Sequence, residues 1–217
     1  MSLLDFARGP ALQWSLIILV TGILWRLVGA MVLARAQHLS RPRSRATLWG
    51  GVRTVFNRSW IPGDMGRKTL FQQVSGYVLH IGLFVVILLF VPHIEFIEGL
   101  TGLRWPGLPT NVITLTAAVT VGVMLLLLVR RVTHPVLRRI SGFDDYASWL
   151  VTALPLITGL LAFGHLGPRY ETMLALHILS VELLFVWIPF SKLIHMVTFI
   201  PARAQLGAKF ARRGVQA

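Results

Sequence analysis

Five stretches of this chain, at about 11–34, 70–91, 110–129, 147–165 and 172–199, are apolar enough to cross a hydrocarbon core, which takes about 20 residues as a helix. That constraint outranks every other. Inside a bilayer no water reaches backbone N–H and C=O groups, so a spanning segment must satisfy them within itself, as a helix does. The expected fold class is therefore all-α: an integral, multi-pass membrane protein, a bundle of five transmembrane helices forming one domain over residues 1–217. Only 13% of the residues are charged, about half the share of an ordinary soluble domain. The first stretch follows "MSLLDFARGP", which holds an Asp and no basic leader, and it is too long for a signal-peptide core. It is expected to be a retained helix. Cysteine is absent, which excludes disulfides, a thiol nucleophile and iron–sulfur ligation by this chain.

Charge orients the bundle. The connection after the first span (residues 35–68) holds eight Lys and Arg, the third connection four (Arg130, Arg131, Arg138, Arg139) and the C-terminal tail four (Arg203, Lys209, Arg212, Arg213). The alternate side has only Arg8, Arg104 and Arg169. Basic residues concentrate on the cytoplasmic side, so the N-terminus is expected outside and the C-terminus in the cytoplasm, as in a bacterial inner membrane. This asymmetry accounts for the formal net charge of +13 and leaves no reason to invoke nucleic acid. A basic inner surface suits anionic membrane lipids or an acidic partner.

Most connections are short. Within the long first one, "ATLWGGVRTVF" places Trp49, Val52, Val55 and Phe56 at helical spacing, the pattern of a short helix on the inner membrane surface, although Gly50 and Gly51 weaken it. "RWPGLP" reads as a rigid outer turn with Trp105 at interfacial depth. Asp144 or Asp145 is expected to cap the fourth span. Residues 110–129 contain no ionisable group and are expected to face lipid.

Ionisable residues inside spans cost several kcal/mol unless paired, ligated or solvated, so each is a functional candidate. They are Arg26, His80, His177, Glu182, Lys192 and His195, with His93 and His165 at the outer boundary. His38 and His134 fall in basic inner loops, where a solvated reading suffices. Eighteen residues are five whole turns of an ideal helix, so His177 and His195 are expected on one face, about 27 Å apart. Histidine is the usual axial ligand to haem iron, and the second span carries His80 and His93. Depth pairs His93 with His177 near the outer face and His80 with His195 nearer the inner face. The expectation is two stacked haems b. Thirteen residues turn about 220°, so His80 and His93 share a face only if Pro92 re-aims His93. Otherwise one haem remains, with His165 as a substitute ligand. A proton pathway or a metal-transport site uses the same residue types, but transport sites add midplane acids and broken helices.

These residues resemble the gamma subunit family of respiratory nitrate reductase, five-helix cytochromes b with ligands on the second and fifth helices. "LHIGLF" around His80 is similar to the family's first ligand motif, and the His177/His195 spacing equals that of its fifth-helix pair. One departure is that the family's shorter second-helix spacing lands on Phe90, with His93 one turn later. "HPVLRRISGFDDYASW" and "PFSKLIH" look closer to the branch accompanying dissimilatory sulfite reductase or heterodisulfide-reductase-like proteins. The resemblance implies a haem b subunit that exchanges electrons between a quinone pool and a cytoplasmic iron–sulfur partner, with no catalytic side chain of its own. Arg26 and Lys192 are then candidates for a haem propionate, against an ion pair of Arg26 with Glu182 or snorkelling of Lys192. Glu95, Glu98, Arg104 and His165 are candidates for an outer quinone site. Gly22, Gly29, Gly76 and Gly82 suit close approach of helices or macrocycles. The competing classes are a haem-free membrane anchor and a small transporter.

Overall fold

The computed structural model describes residues 2–33, 41–44, 47–59 and 66–215. These residues are helical nearly throughout and contain no strand. A first turn (Leu3–Phe6) and a π-turn at Ala7–Ala11 containing Pro10 lead into α1 (Leu12–Leu33). There follow α2 (Thr47–Asn57), α3 (Gly66–Leu89), α4 (Val91–Thr101), α5 (Thr110–Thr133), α6 (Pro135–Ile140), α7 (Phe143–Phe163) and α8 (Tyr170–Trp187). Two single 3-10 turns, Ile188–Phe190 and Lys192–Ile194, precede α9 (His195–Arg212).

Five of these segments are long and apolar enough to span a membrane: Leu3–Val32, Thr69–Leu89, Thr110–Thr133, Phe143–Phe163 and Tyr170–Phe190. The protein is a multi-pass, all-helical membrane protein. All five spans differ in their bounds from the sequence reading: the third runs on to Thr133, and the fourth covers Phe143–Phe163 rather than 147–165. The first span starts at Leu3 rather than residue 11, because the chain winds continuously through Pro10 by widening one turn. The second ends at Leu89. The fifth is not one helix over 172–199: it ends at Phe190, and Pro189 and the extended Ser191 (φ −118°, ψ −179°) separate it from α9. The five-turn argument linking His177 to His195 therefore fails.

The chain forms two compact units, Met1–Leu16 with Phe71–Phe185 and Ile17–Leu70 with Val186–Ala217. The first is organised around α5 and α7. Ala117 and Met124 meet Ala153 and Leu156, flanked by Leu79, Leu83 and Val86 of α3. Trp149 donates its indole N–H to the Met124 carbonyl at 2.8 Å. Residues 110–129 thus do not simply face lipid: Ile113, Ala117, Thr120 and Met124 form a buried face. Gly82 is the close-approach point of α3, because a Cβ there would collide with the Thr120 hydroxyl and lie 3.2 Å from its Cβ. Among the described residues nothing packs over Gly29 or Gly76.

At the start of α7 the capping residue is Gly142 rather than either aspartate. Asp145, three residues on, accepts the Gly142 N–H at 2.9 Å and also meets Arg131 at 3.2 Å. Asp144 accepts from Ser148 at 3.0 Å. The carboxylates act from inside the first turn, where helix N–H groups and the macrodipole favour negative charge.

In the second unit α2 packs on α9. The helix predicted over "ATLWGGVRTVF" forms, and Gly50 and Gly51 are the reason it packs rather than a weakness. A Cβ on Gly51 would lie 2.9 Å from the Ala204 carbonyl oxygen, and one on Gly50 would overlap the Ala211 side chain. Thr54 completes the contact against Gly207. Small residues let two helical backbones touch, as they do between helices in lipid.

Gly82→Val is expected to overpack the α3–α5 contact and cost about 1–3 kcal/mol. Thermal unfolding of the detergent-solubilised protein reads this as a lowered midpoint, while Gly76→Val leaves the midpoint near the wild-type value.

Candidate functional site

The site is built by a helix break. Pro92 has no N–H, so the second apolar helix cannot continue past Leu89. Phe90 is extended (φ −83°, ψ 123°), and α4 restarts at Val91 with Pro92 in its first turn, where a missing N–H costs nothing. The break orphans carbonyls at the end of α3. Trp105 donates its indole N–H to the Leu88 carbonyl, and the Leu108 N–H reaches the Leu89 carbonyl at 2.9 Å. The "RWPGLP" turn is thus a lid of donors on a broken helix end. The third carbonyl, of Val86, accepts the Nδ1–H of His93 at 2.9 Å.

The break turns His93 toward α8. Its imidazole stands with its ring centre 6.1 Å from that of His177, and the two planes differ by only 14°. Phe90 packs edge-on against His93 at 5.1 Å, and against Phe163 at 6.4 Å. His177 leans on α7, where Gly159 makes room: a Cβ there would lie 3.1 Å from His177 Cε1. Thr158 donates its hydroxyl proton to the Leu154 carbonyl at 2.7 Å, which leaves its oxygen to accept from His177 Nδ1 at 3.3 Å. Ser180 touches the same hydroxyl at 3.0 Å and donates to the His177 carbonyl at 2.7 Å. Both Nδ1 atoms are thereby occupied, so the Nε2 nitrogens carry the lone pairs, an arrangement that fixes tautomer and ring angle in metal-binding histidines. Burial pushes the His93 imidazole below its ordinary pKa.

The two rings are near parallel with their centres 6.1 Å apart, a separation comparable to that of two imidazoles sharing one metal ion through bonds of about 2.0–2.1 Å each. Among the described residues no group of three or more His, Cys, Asp or Glu could hold a metal ion.

The other predicted residues divide. His80 directs Nδ1 at the Gly76 carbonyl one turn back, at 2.7 Å. His195 opens α9, aimed by the preceding turn, with Nδ1 2.8 Å from the Lys192 carbonyl. Lys192 itself is exposed. Arg26 lies in the first span, exposed and without an ion pair among the described residues, on a groove of about 530 Å³ with Trp25, Pro189 and Phe190. Gly22 lines the same groove, with Pro189 2.6 Å from where its Cβ would be. Glu182 is 4% exposed, and its Oε1 has no hydrogen-bond partner among the described residues.

Of the quinone-site candidates, Glu95 and Arg104 line one pocket of about 320 Å³ with Val91, Ile94, Trp105 and Gly107. Glu98 holds Arg104 by an ion pair at 3.1 Å. His165 is not among the lining residues. It ends α7 in the left-handed conformation (φ 52°) usually taken by glycine, with its ring 5.2 Å from Tyr170. His134 caps α6, its Nδ1 accepting the Leu137 N–H at 3.5 Å. His38 lies outside the described residues. Sequence reasoning missed Thr158, Gly159 and Ser180, because an ordinary Thr, Gly or Ser in an apolar helix carries no signal until the helix facing it is known.

Fold and site define a multi-pass helical membrane protein whose broken second span faces an imidazole pair. The chain belongs to the same family as a protein of Nitratidesulfovibrio vulgaris (strain Hildenborough), described simply as "Protein". The two are 32% identical over 223 residues, covering 96% of this chain and 94% of the relative. No family model matches the chain.

Gly159→Val is expected to force the His177 ring off α7. Overpacking of this kind costs about 1–3 kcal/mol, read as a lower unfolding midpoint. Thr158→Val, which keeps the volume but removes the hydroxyl that meets the Leu154 carbonyl, Ser180 and His177 Nδ1, should cost about 1–3 kcal/mol.

Proposed function

We propose that the protein is the haem b membrane subunit of a respiratory-type redox complex, relaying electrons between a quinone pool and a cytoplasmic iron–sulfur partner. The observation that carries this reading is the His93–His177 pair, two half-buried parallel imidazoles 6.1 Å apart with both Nδ1 atoms tied down. A two-ligand site favours haem over a bare transported ion, which needs three or four protein ligands. From their depth in the sequence, His80 and His195 are each proposed as a haem ligand. Each has Nδ1 directed at a backbone carbonyl, as the second shell of a ligating histidine requires.

When bound, haem supplies the one-electron chemistry. The chain's own residues do the rest. Val86 and Thr158 hold the outer imidazoles in angle and tautomer, and Phe90 covers one edge of the His93 ring. The pocket beside α4 offers a quinol headgroup the Arg104 guanidinium as a donor and the Glu95 carboxylate as a proton acceptor. Three of its lining residues, Val91, Ile94 and Glu95, lie within two positions of His93 in sequence. Arg26 and Lys192 remain the proposed partners of haem propionates. The positive-inside pattern supports an N-terminus outside, a C-terminus in the cytoplasm and residence in a bacterial inner membrane. It also supports an acidic or anionic partner on the basic side.

A reduced-minus-oxidised visible spectrum of the purified protein tests the reading, and absence of a b-type signal overturns it in favour of a haem-free anchor or a transporter. His93→Ala and His177→Ala should each lose the same haem and leave the other, counted as haem per chain. His80→Ala and His195→Ala should each also lower haem per chain. Glu95→Gln is expected to slow quinol-driven haem reduction about 10²-fold without changing haem content.

A further inference from the structure

The helix pair α2–α9 leaves a surface that the electron relay does not use. Small residues bind the two helices, with Gly50, Gly51 and Thr54 of α2 against Ala204, Gly207 and Ala211 of α9. The large apolar residues of α2 therefore point away from its partner. Leu48, Trp49, Val52 and Phe56 recur at i, i+1, i+4 and i+8, which is one stripe of a helix. They are 86%, 68%, 47% and 68% exposed. A row of four such side chains turned to water would be costly, so something covers it.

Charge says what. Residues 17–70 and 186–217 contain fourteen Lys and Arg and a single acidic residue, Asp64. Arg53 and Arg58 lie exposed on and just after α2, and Lys209 and Arg213 lie exposed at the end of α9. Arg43 is drawn onto the same end, its N–H donating to the Arg212 carbonyl at 2.9 Å. Arg203 reaches Ser59 at 3.2 Å and lies over the Phe199 ring. The helix is also tethered. Only residues 58–65 separate α2 from the start of α3, a reach of at most about 28 Å when fully extended. A Trp-bearing apolar stripe flanked by arginines, held that close to a membrane span, has the composition of a helix seated at the acyl–headgroup boundary.

We propose that α2 is an interfacial anchor that docks on anionic phospholipid. Leu48, Trp49, Val52 and Phe56 enter the acyl boundary, while Arg53, Arg58, Lys209 and Arg213 engage lipid phosphates. The site is independent of haem binding. Its α9 side serves as a rigid backing that holds the stripe facing the bilayer.

Full-length protein in lipid nanodiscs tests this. Discs contain phosphatidylcholine with about 30 mol% phosphatidylglycerol, a typical anionic-leaflet composition, and in each preparation only one lipid carries brominated acyl chains at matched bromine content. The Trp49 signal is isolated as the difference between wild type and Trp49→Phe. Brominated phosphatidylglycerol is expected to quench Trp49 at least about 2-fold more than brominated phosphatidylcholine, since each nearby basic residue enriches anionic lipid. The combined Arg53→Gln, Arg58→Gln, Lys209→Gln and Arg213→Gln variant should bring the two to parity while Trp49 stays quenched. Equal quenching by both lipids in the wild type overturns the anionic preference. No quenching by either overturns the proposal outright and assigns the stripe to a protein partner.

Discussion

The structure depends on one rule: in oil, every backbone hydrogen-bonding group must find a partner inside the protein. The rule makes five apolar stretches into five helices. It also gives the exceptions their meaning, since wherever a helix stops within or beside the bilayer the freed groups must be re-paired. At Leu89 the re-pairing recruits Trp105, Leu108 and His93 to the carbonyls of Leu88, Leu89 and Val86. A proline has thus converted a helix end into a small polar structure, and one of its donors is the imidazole that meets His177.

The second break works the same way on a smaller scale. Pro189 ends the fifth span, the Ser191 hydroxyl accepts the Leu193 N–H at 3.2 Å, and the Lys192 carbonyl takes His195 Nδ1. Both breaks leave a histidine whose ring angle is set by a backbone carbonyl instead of by free rotation. Rigid, pre-oriented imidazoles suit metal ligation, because the entropy of fixing the ring is met in folding before any ligand arrives.

Much of the fold was legible in single residues. Apolar length located the spans to within a few residues, except where it ran through Pro10 and past Pro189. Pro92 marked where the second span could break, one of two alternatives open for His93, and the helix does restart there. Reading His177 and His195 as one ideal helix face went wrong because periodicity assumes an unbroken helix, and the break lies between them. Gly50 and Gly51 looked like weak points because propensity sees only the isolated helix. Against Ala204 and Ala211 the same glycines are what permits contact. Asp145 was recognised as a helix-start residue but placed at the cap, where Gly142 stands, because position within a first turn cannot be fixed to better than a residue or two from sequence.

By itself, then, the sequence determined the class of protein and its candidate ligands, since hydrophobic length and histidines set in apolar stretches are properties of one chain segment at a time. Only the tertiary structure decided which side chains meet. The 6.1 Å approach of His93 to His177, the Thr158 and Gly159 seat for the second ring, and the pocket joining Glu95 to Arg104 all join separate elements. Such meetings depend on where helices break and how closely small residues let them pack, and those are facts about pairs of segments that no single stretch of sequence contains.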